Sequence, residues 1–62
     1  MKQRDFEAHL KKHGCHLHHH GGKHDVWFNF VTMRRAPVPR RTEQRHGTVR
    51  AICRQLGIPS PV

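Results

Sequence analysis

The stretch CHLHHHGGKHDVWFNFV, residues 15–31, decides the fold, because a double glycine separates two runs that both have strand character. Residues 15–20 alternate in polarity, which is typical of a strand with two different faces. Gly21-Gly22 breaks that run and predicts a turn. Residues 25–31 are aromatic and β-branched, which favours a second strand. The sequence therefore predicts a β-hairpin across the double glycine.

A third strand is predicted directly after this hairpin, over residues 34–38. Pro37 and Pro39 mark it as an edge strand or a strand end, because proline cannot donate to the ladder. The connection through Thr32 and Met33 is unpromising as a tight turn, since neither residue favours a positive φ.

A helix is predicted on the N-terminal side of the hairpin, over residues 4–13. Phe6 and Leu10 lie four positions apart on one face, and the segment has no good side-chain N-cap. Gly14 follows where a helix C-cap requires a positive φ.

The clearest amphipathic pattern lies near the C-terminus and predicts a second helix with Thr48 as its N-cap. Its apolar positions follow at i, i+3, i+4 and i+7 and are Val49, Ile52, Cys53 and Leu56. Arg50 and Arg54 fall on the opposite, solvent side. Gly57 is expected to end this helix. Residues 40–46 are predicted to form a polar loop before the helix, and residues 58–62 a frayed tail after it.

The predicted order is helix, three strands, helix, within one domain spanning residues 1–62. The simplest way to bury both helical stripes is to pack the two helices on one face of a three-stranded antiparallel sheet. This α+β arrangement, αβββα, is the layout of a double-stranded-RNA-binding domain. Topology alone favours RNA as a ligand without establishing a function.

Charge is the strongest feature of the composition. Twelve Lys and Arg against four Asp and Glu give a formal net charge of +8. This balance suits a polyanion such as RNA or DNA, or an acidic protein surface. Cys15 and Cys53 are far apart and follow no signal peptide, so we expect two free thiols in a cytoplasmic protein rather than a disulfide. No stretch is long and apolar enough to predict a membrane span.

Three segments together carry a resemblance to a known family. They are GGKHDVW at residues 21–27, APVPR at residues 36–40 and GTVRAICRQLG at residues 47–57. In this order and spacing they resemble the HicA-type mRNA interferase toxins, over essentially the whole chain. The resemblance implies an endoribonuclease toxin that acts in the cytoplasm and is neutralised by a HicB-type antitoxin covering the active histidine.

His24 corresponds to the catalytic histidine of that family. RNA cleavage without a metal uses the 2′-hydroxyl as nucleophile, a base and an acid to move protons, and cations to stabilise the phosphorane. Histidine suits the acid–base steps because its pKa lies near the operating pH. The residues expected to bind RNA phosphates are Lys23, Arg40, Arg50 and Arg54. By residue type alone, His20 and His46 are candidates for a second acid–base group.

Four positions differ from the residues common in the family. Met33 stands where glycine is common, and Phe30 lies near a usual proline. Arg41 replaces a histidine, and Gln44 follows Glu43 where an apolar residue often stands. These differences leave open an alternative, a non-catalytic RNA-binding module of the same fold.

The histidine-rich run supports a second alternative, a small metal-binding protein. Alternation predicts His16, His18 and His20 on one strand face, about 7 Å apart, which is the geometry of adventitious chelation rather than of a closed tetrahedral site. We therefore expect no metal cofactor. Trp27 could stack on a base, but its apolar neighbours favour a place in the core.

Overall fold

The computed structural model describes residues 1–62 and confirms the predicted αβββα order. The elements are α1 (Gln3–Lys12), β1 (Cys15–His20), β2 (His24–Asn29), β3 (Arg34–Pro39) and α2 (His46–Leu56). The three strands form one antiparallel sheet in the order β1-β2-β3, so each strand pairs with its neighbour in the chain. β1 and β3 are therefore the two edges.

Both helices pack on one face of the sheet, as predicted. Strand β2 turns Asp25, Trp27 and Asn29 toward the helices, and all three are buried. The predicted apolar stripes of α1 and α2 meet these strands in a single core. Its members are Phe6, Leu10, Cys15, Trp27, Ala36, Val38, Val49, Ile52, Cys53 and Leu56. Trp27 is only 2% exposed, which confirms its assignment to the core.

The opposite side of the sheet has no helix over it, and we call it the open face. It carries Val26, Phe28, Arg35 and Pro37, which alternate with the buried residues of β2 and β3 and are half-buried or exposed. The helices thus leave a whole side of the sheet in contact with solvent.

A β-bulge at His18 changes the predicted alternation of β1. Leu17 pairs with Trp27, but His19 pairs with Val26 and His20 with Asp25. The extra residue in β1 places His19 on the open face and turns His20 toward the helix side. The prediction that His16, His18 and His20 share one face is therefore wrong for His20.

The predicted core face of β1 is only partly realised. Cys15 is fully buried, whereas Leu17 is 42% exposed. β1 is an edge strand, and only its first residue is buried. Cys15 and Cys53 are both free and buried. Burial raises the pKa of each thiol, and the nearby Cys15 raises that of Cys53 further.

Helix α1 spans Gln3–Lys12, one residue earlier at each end than the predicted 4–13, and the glycines predicted to follow the two helices are confirmed. Helix α1 has no side-chain N-cap, and Gly14 and Gly57 follow the two helices with φ values of +83° and +73°. The assignment of Thr48 as the N-cap of α2 is wrong. The helix begins at His46 because Arg45, in an extended conformation, already accepts the first helical hydrogen bond from the Val49 amide at 3.0 Å. Thr48 lies inside the first turn.

The β2–β3 connection forms despite its unfavourable residues. Met33 adopts a φ of +62°, in the left-handed region that favours glycine. Asn29 explains how this conformation is held, because its Oδ1 accepts hydrogen bonds from the amides of Val31 (2.8 Å) and Thr32 (3.3 Å). Asn29 Nδ2 and the Thr32 hydroxyl both donate to the Leu56 carbonyl at 2.8 Å. The turn is thereby fixed against the end of α2.

The polar loop before α2 is tied down by the N-terminal residues. The Gln3 amide donates to the Thr42 carbonyl at 2.9 Å, and the Gln44 amide donates to the Met1 carbonyl at 2.7 Å. The Gln44 side chain is 2% exposed, and its Nε2 donates to the Pro39 carbonyl at 2.7 Å and to Gln3 Oε1 at 2.5 Å. These two bonds satisfy the Gln44 amide nitrogen at a position where the family often has an apolar residue, whereas Gln44 Oε1 is buried without a partner.

Met33→Gly should stabilise the protein, because glycine adopts a positive φ without a Cβ clash. Relief of about 1–2 kcal/mol of left-handed strain, less the greater flexibility of glycine in the unfolded chain, gives a net gain of about 0.5–1 kcal/mol. Urea unfolding at constant m value measures it. Met33→Ala is the control and should give no such gain, whereas equal stabilisation by alanine would contradict the strain.

Candidate functional site

His24 begins strand β2 and lies at the end of the β1–β2 hairpin. It is exposed, and it pairs with Pro39 across the sheet. The alternation of β2 places it on the same side as Val26 and Phe28, which is the open face. Its imidazole is therefore on a side of the sheet that the helices do not cover.

The glycine turn brings the backbone unusually close to His24. The Gly21 amide donates to the His24 carbonyl at 2.8 Å and closes the hairpin. A Cβ added to Gly21 would lie 2.6 Å from that carbonyl oxygen, a distance that real Cβ atoms essentially never show. A Cβ on Gly22 would meet nothing within 4 Å. The first glycine is thus required by close approach to the backbone of the candidate catalytic residue.

Lys23 precedes the strand and belongs to the turn. It is exposed, and its residue lies outside β2. Strand alternation therefore does not force its side chain away from His24. The expectation that Lys23 can assist at a phosphate depends on this placement.

A buried carboxylate on the other side of the hairpin organises the turn. The side chain of Asp25 is 11% exposed, and its Oδ1 lies 2.8 Å from His20 Nδ1 and 3.3 Å from Arg40 Nη1. Arg40 Nη2 also donates to the carbonyls of Gly21, at 3.0 Å, and Gly22. One guanidinium thus joins the carboxylate to the turn backbone, and the carboxylate in turn orients the His20 ring.

Sequence reasoning missed this cluster. The pattern of residues 25–31 places Asp25 in a strand without indicating a partner, and nothing in residues 15–20 predicts the bulge that turns His20 toward it. The available signal was an aspartate inside an aromatic and β-branched run, because a carboxylate at a core-facing strand position requires a charged partner.

The expected phosphate-binding residues do not form one group. Lys23 and Arg40 lie at the hairpin, although the Arg40 guanidinium is already engaged by Asp25 and the glycine carbonyls. Arg50 and Arg54 are exposed on α2, whose opposite side packs on the sheet. They therefore lie on the far side of the molecule from the open face. His46, the other histidine proposed by residue type, is exposed at the start of α2.

A groove of about 840 Å³ lies on the helix side, between α1 and the loop after β3. It contains four cations and three carboxylates, all belonging to Lys2, Arg4, Arg40, Arg41, Glu7, Asp25 and Glu43. His24 does not line it. Its mixed charge makes it a poor track for a polyanion compared with a surface that lacks carboxylates.

No three side chains among histidine, cysteine, aspartate and glutamate converge closely enough to hold a metal ion. Neither helix has the length and apolarity needed to cross a bilayer.

Comparison with known proteins gives one match. The family model described as HicA toxin of bacterial toxin–antitoxin systems matches residues 3–58 of the 62. The match includes both helices, all three strands and the glycine–histidine turn. No curated protein and no solved structure matches the chain.

Gly21→Ala and Gly22→Ala form a matched pair that tests the close approach in the turn. Gly21→Ala should lower the free energy of unfolding by about 1–3 kcal/mol, because the new methyl group must displace the His24 carbonyl. Gly22→Ala meets no atom and should change it by less than about 0.5 kcal/mol. Thermal or urea unfolding of both variants measures the difference. Equal effects of the two substitutions would contradict the geometry of the turn.

Proposed function

The chain belongs to the HicA toxin family, and from this premise we propose that it is an endoribonuclease that cleaves mRNA by acid–base chemistry at His24. Membership gives it the toxin role in a toxin–antitoxin pair and implies a cognate antitoxin as partner. The observation that carries the proposal is the position of His24, exposed on the open face at the end of a hairpin that glycine closes.

His24 has the access that this reaction requires. In the proposed reaction it takes the proton of a ribose 2′-hydroxyl, and the 2′-oxygen attacks the adjacent phosphorus as the 5′-oxygen leaves. Lys23, next to it in the turn, neutralises charge that develops on the phosphorane. The chemistry uses the substrate's own nucleophile and needs no metal ion.

His20 is the better-supported second acid–base group of the two named by residue type. Asp25 holds its Nδ1 at 2.8 Å, which leaves Nε2 as the nitrogen free for proton transfer. His20 and His24 flank the same glycine turn, four positions apart, on opposite sides of the sheet. We assign His20 the protonation of the leaving 5′-oxygen, which requires a phosphodiester that crosses the end of the hairpin and lies within reach of both rings.

The proposed partner is a HicB-type antitoxin that covers His24 in the bacterial cytoplasm. An excess of eight positive charges on this small domain favours an acidic antitoxin surface. Arg50 and Arg54, away from the open face, are then available to RNA or to the antitoxin. As phosphate-binding residues they contribute through long-range charge rather than at the cleaved bond.

His24→Ala should abolish RNA cleavage by the purified, antitoxin-free protein, with a loss of at least about 10²-fold. Because His24 is exposed, the variant should have the same circular dichroism spectrum and unfolding midpoint as the unaltered protein. His46→Ala, which removes another exposed histidine, is the matched control and should retain activity. Cleavage should also persist in EDTA. Equal degradation by the His24→Ala variant would refute the role of His24, and RNA binding without cleavage by the unaltered protein would favour the non-catalytic module.

His20→Gln tests the second proton-transfer role separately. A glutamine can still contact Asp25 but cannot transfer a proton. For the unaltered protein we expect the bell-shaped pH dependence of an acid–base pair, and for the variant the loss of one of its two limbs. The measurement is the rate over a range of pH for the unaltered protein and the variant. A variant with both limbs intact would exclude His20 as the second group.

A further inference from the structure

The open face carries a contiguous row of aromatic rings. His16 lies 5.7 Å from Phe30, Phe30 lies 4.7 Å from Phe28, and Phe28 lies 6.0 Å from His18, all between ring centroids. We call these four residues the aromatic row. Phe30 is a large apolar side chain that stays 60% exposed instead of packing into the core. Large exposed rings that touch one another form a surface suited to flat ligands.

Charge on the open face has one sign. All four carboxylates of the chain lie elsewhere. Asp5 and Glu7 are on α1, Asp25 faces the helices, and Glu43 is in the loop bridged to Lys2. The open face instead presents Arg35, which pairs directly with Phe28 across β2 and β3. A face with rings, a guanidinium and no carboxylate matches a ligand that combines flat groups with negative charge.

We propose that the open face is a stacking platform for single-stranded RNA, with the aromatic row holding unpaired bases. Bases stack on aromatic side chains whatever their sequence, because every base has a π-face. Arg35, which pairs with Phe28 on the same face, supplies a cation for the phosphates of the same strand. Paired bases cannot expose their faces in this way, so the platform selects single-stranded segments.

The platform leads toward the candidate catalytic residue, and this part of the proposal rests on the proposed function. Phe28 and His24 lie on the same side of β2, four residues apart, which corresponds to about 13 Å along the strand. Between them is a shallow depression of about 370 Å³ lined by His19, Val26 and Arg35, among others. A strand stacked on the aromatic row can therefore run along β2 and deliver a phosphodiester to His24.

A second copy of the chain is a poor occupant of this face. Two copies that meet through their open faces would bring Arg35 and the histidines of both together without a carboxylate to pair them, in a protein of net charge +8. Repulsion of this kind costs free energy in any apolar interface. RNA supplies both the flat groups and the missing negative charge.

The test measures binding of a short 2′-O-methyl oligoadenylate by fluorescence anisotropy, with His24 intact. Because the 2′-O-methyl group removes the nucleophile, the result does not depend on catalysis. Phe30→Ala should weaken binding at least about fivefold, and Phe28→Leu should weaken it as well, since leucine keeps the apolar volume but not the π-face. Val31→Ala is the matched control, because Val31 is 80% exposed in the same turn and outside the row. It should change binding less than about twofold.

An abasic oligomer of the same length separates stacking from charge. It carries the same phosphates without bases, so Phe30→Ala should leave its weaker binding unchanged. Two results would overturn the platform. One is an affinity of the Phe30→Ala variant for the oligoadenylate equal to that of the unaltered protein. The other is a monomer–dimer equilibrium, seen by sedimentation, that Phe30→Ala abolishes while RNA binding stays the same. Ring-dependent binding together with absent cleavage would refute only the proposed function.

Discussion

Two short helices can cover only one side of a three-stranded sheet, and the rest of the molecule follows from this limit. Helices α1 and α2 contain ten and eleven residues, and their apolar stripes meet the inward residues of all three strands in a core of ten side chains. Residues 1–62 provide no third layer for the other side. The open face must therefore either remain in contact with solvent or bind a ligand. The exposed, mutually contacting rings there favour ligand binding.

The sequence predicted the elements well where one signal dominated. The spacing of Val49, Ile52, Cys53 and Leu56 identified α2 and its buried face, because periodicity reflects burial directly. The first residue of α2 was harder to predict. Thr48 has the chemistry of an N-cap, but the helix extends three residues further toward the N-terminus, since its N-cap is Arg45. Helix ends depend on how the preceding loop is held. That loop is fixed by hydrogen bonds to residues 1–3, which no local pattern reveals.

Part of the candidate site could likewise be predicted from the sequence, and part could not. His24 and its glycine turn could be found from the sequence, because the turn chemistry is local and the resemblance covers it. The orientation of His20 could not be found from the sequence. One bulged residue at His18 reverses the side of the sheet to which the residues after it point. The contact between Asp25 and Arg40 spans fifteen positions and depends on the register of β2 with β3. Met33 shows the reverse case, in which an unfavourable turn residue is held in place by Asn29 and the end of α2.

The prolines of β3 determine how other polypeptides can approach the sheet. Pro37 and Pro39 alternate along this edge strand, and a sheet accommodates proline where the nitrogen faces outward. The outer rim of β3 therefore lacks amide donors at two of its alternate positions, and the bulge in β1 interrupts the other rim. An incoming β-strand finds no continuous ladder on either side, which protects the protein from edge-to-edge aggregation and amyloid growth. Neither rim therefore offers a protein partner the unbroken row of backbone donors and acceptors that β-augmentation uses.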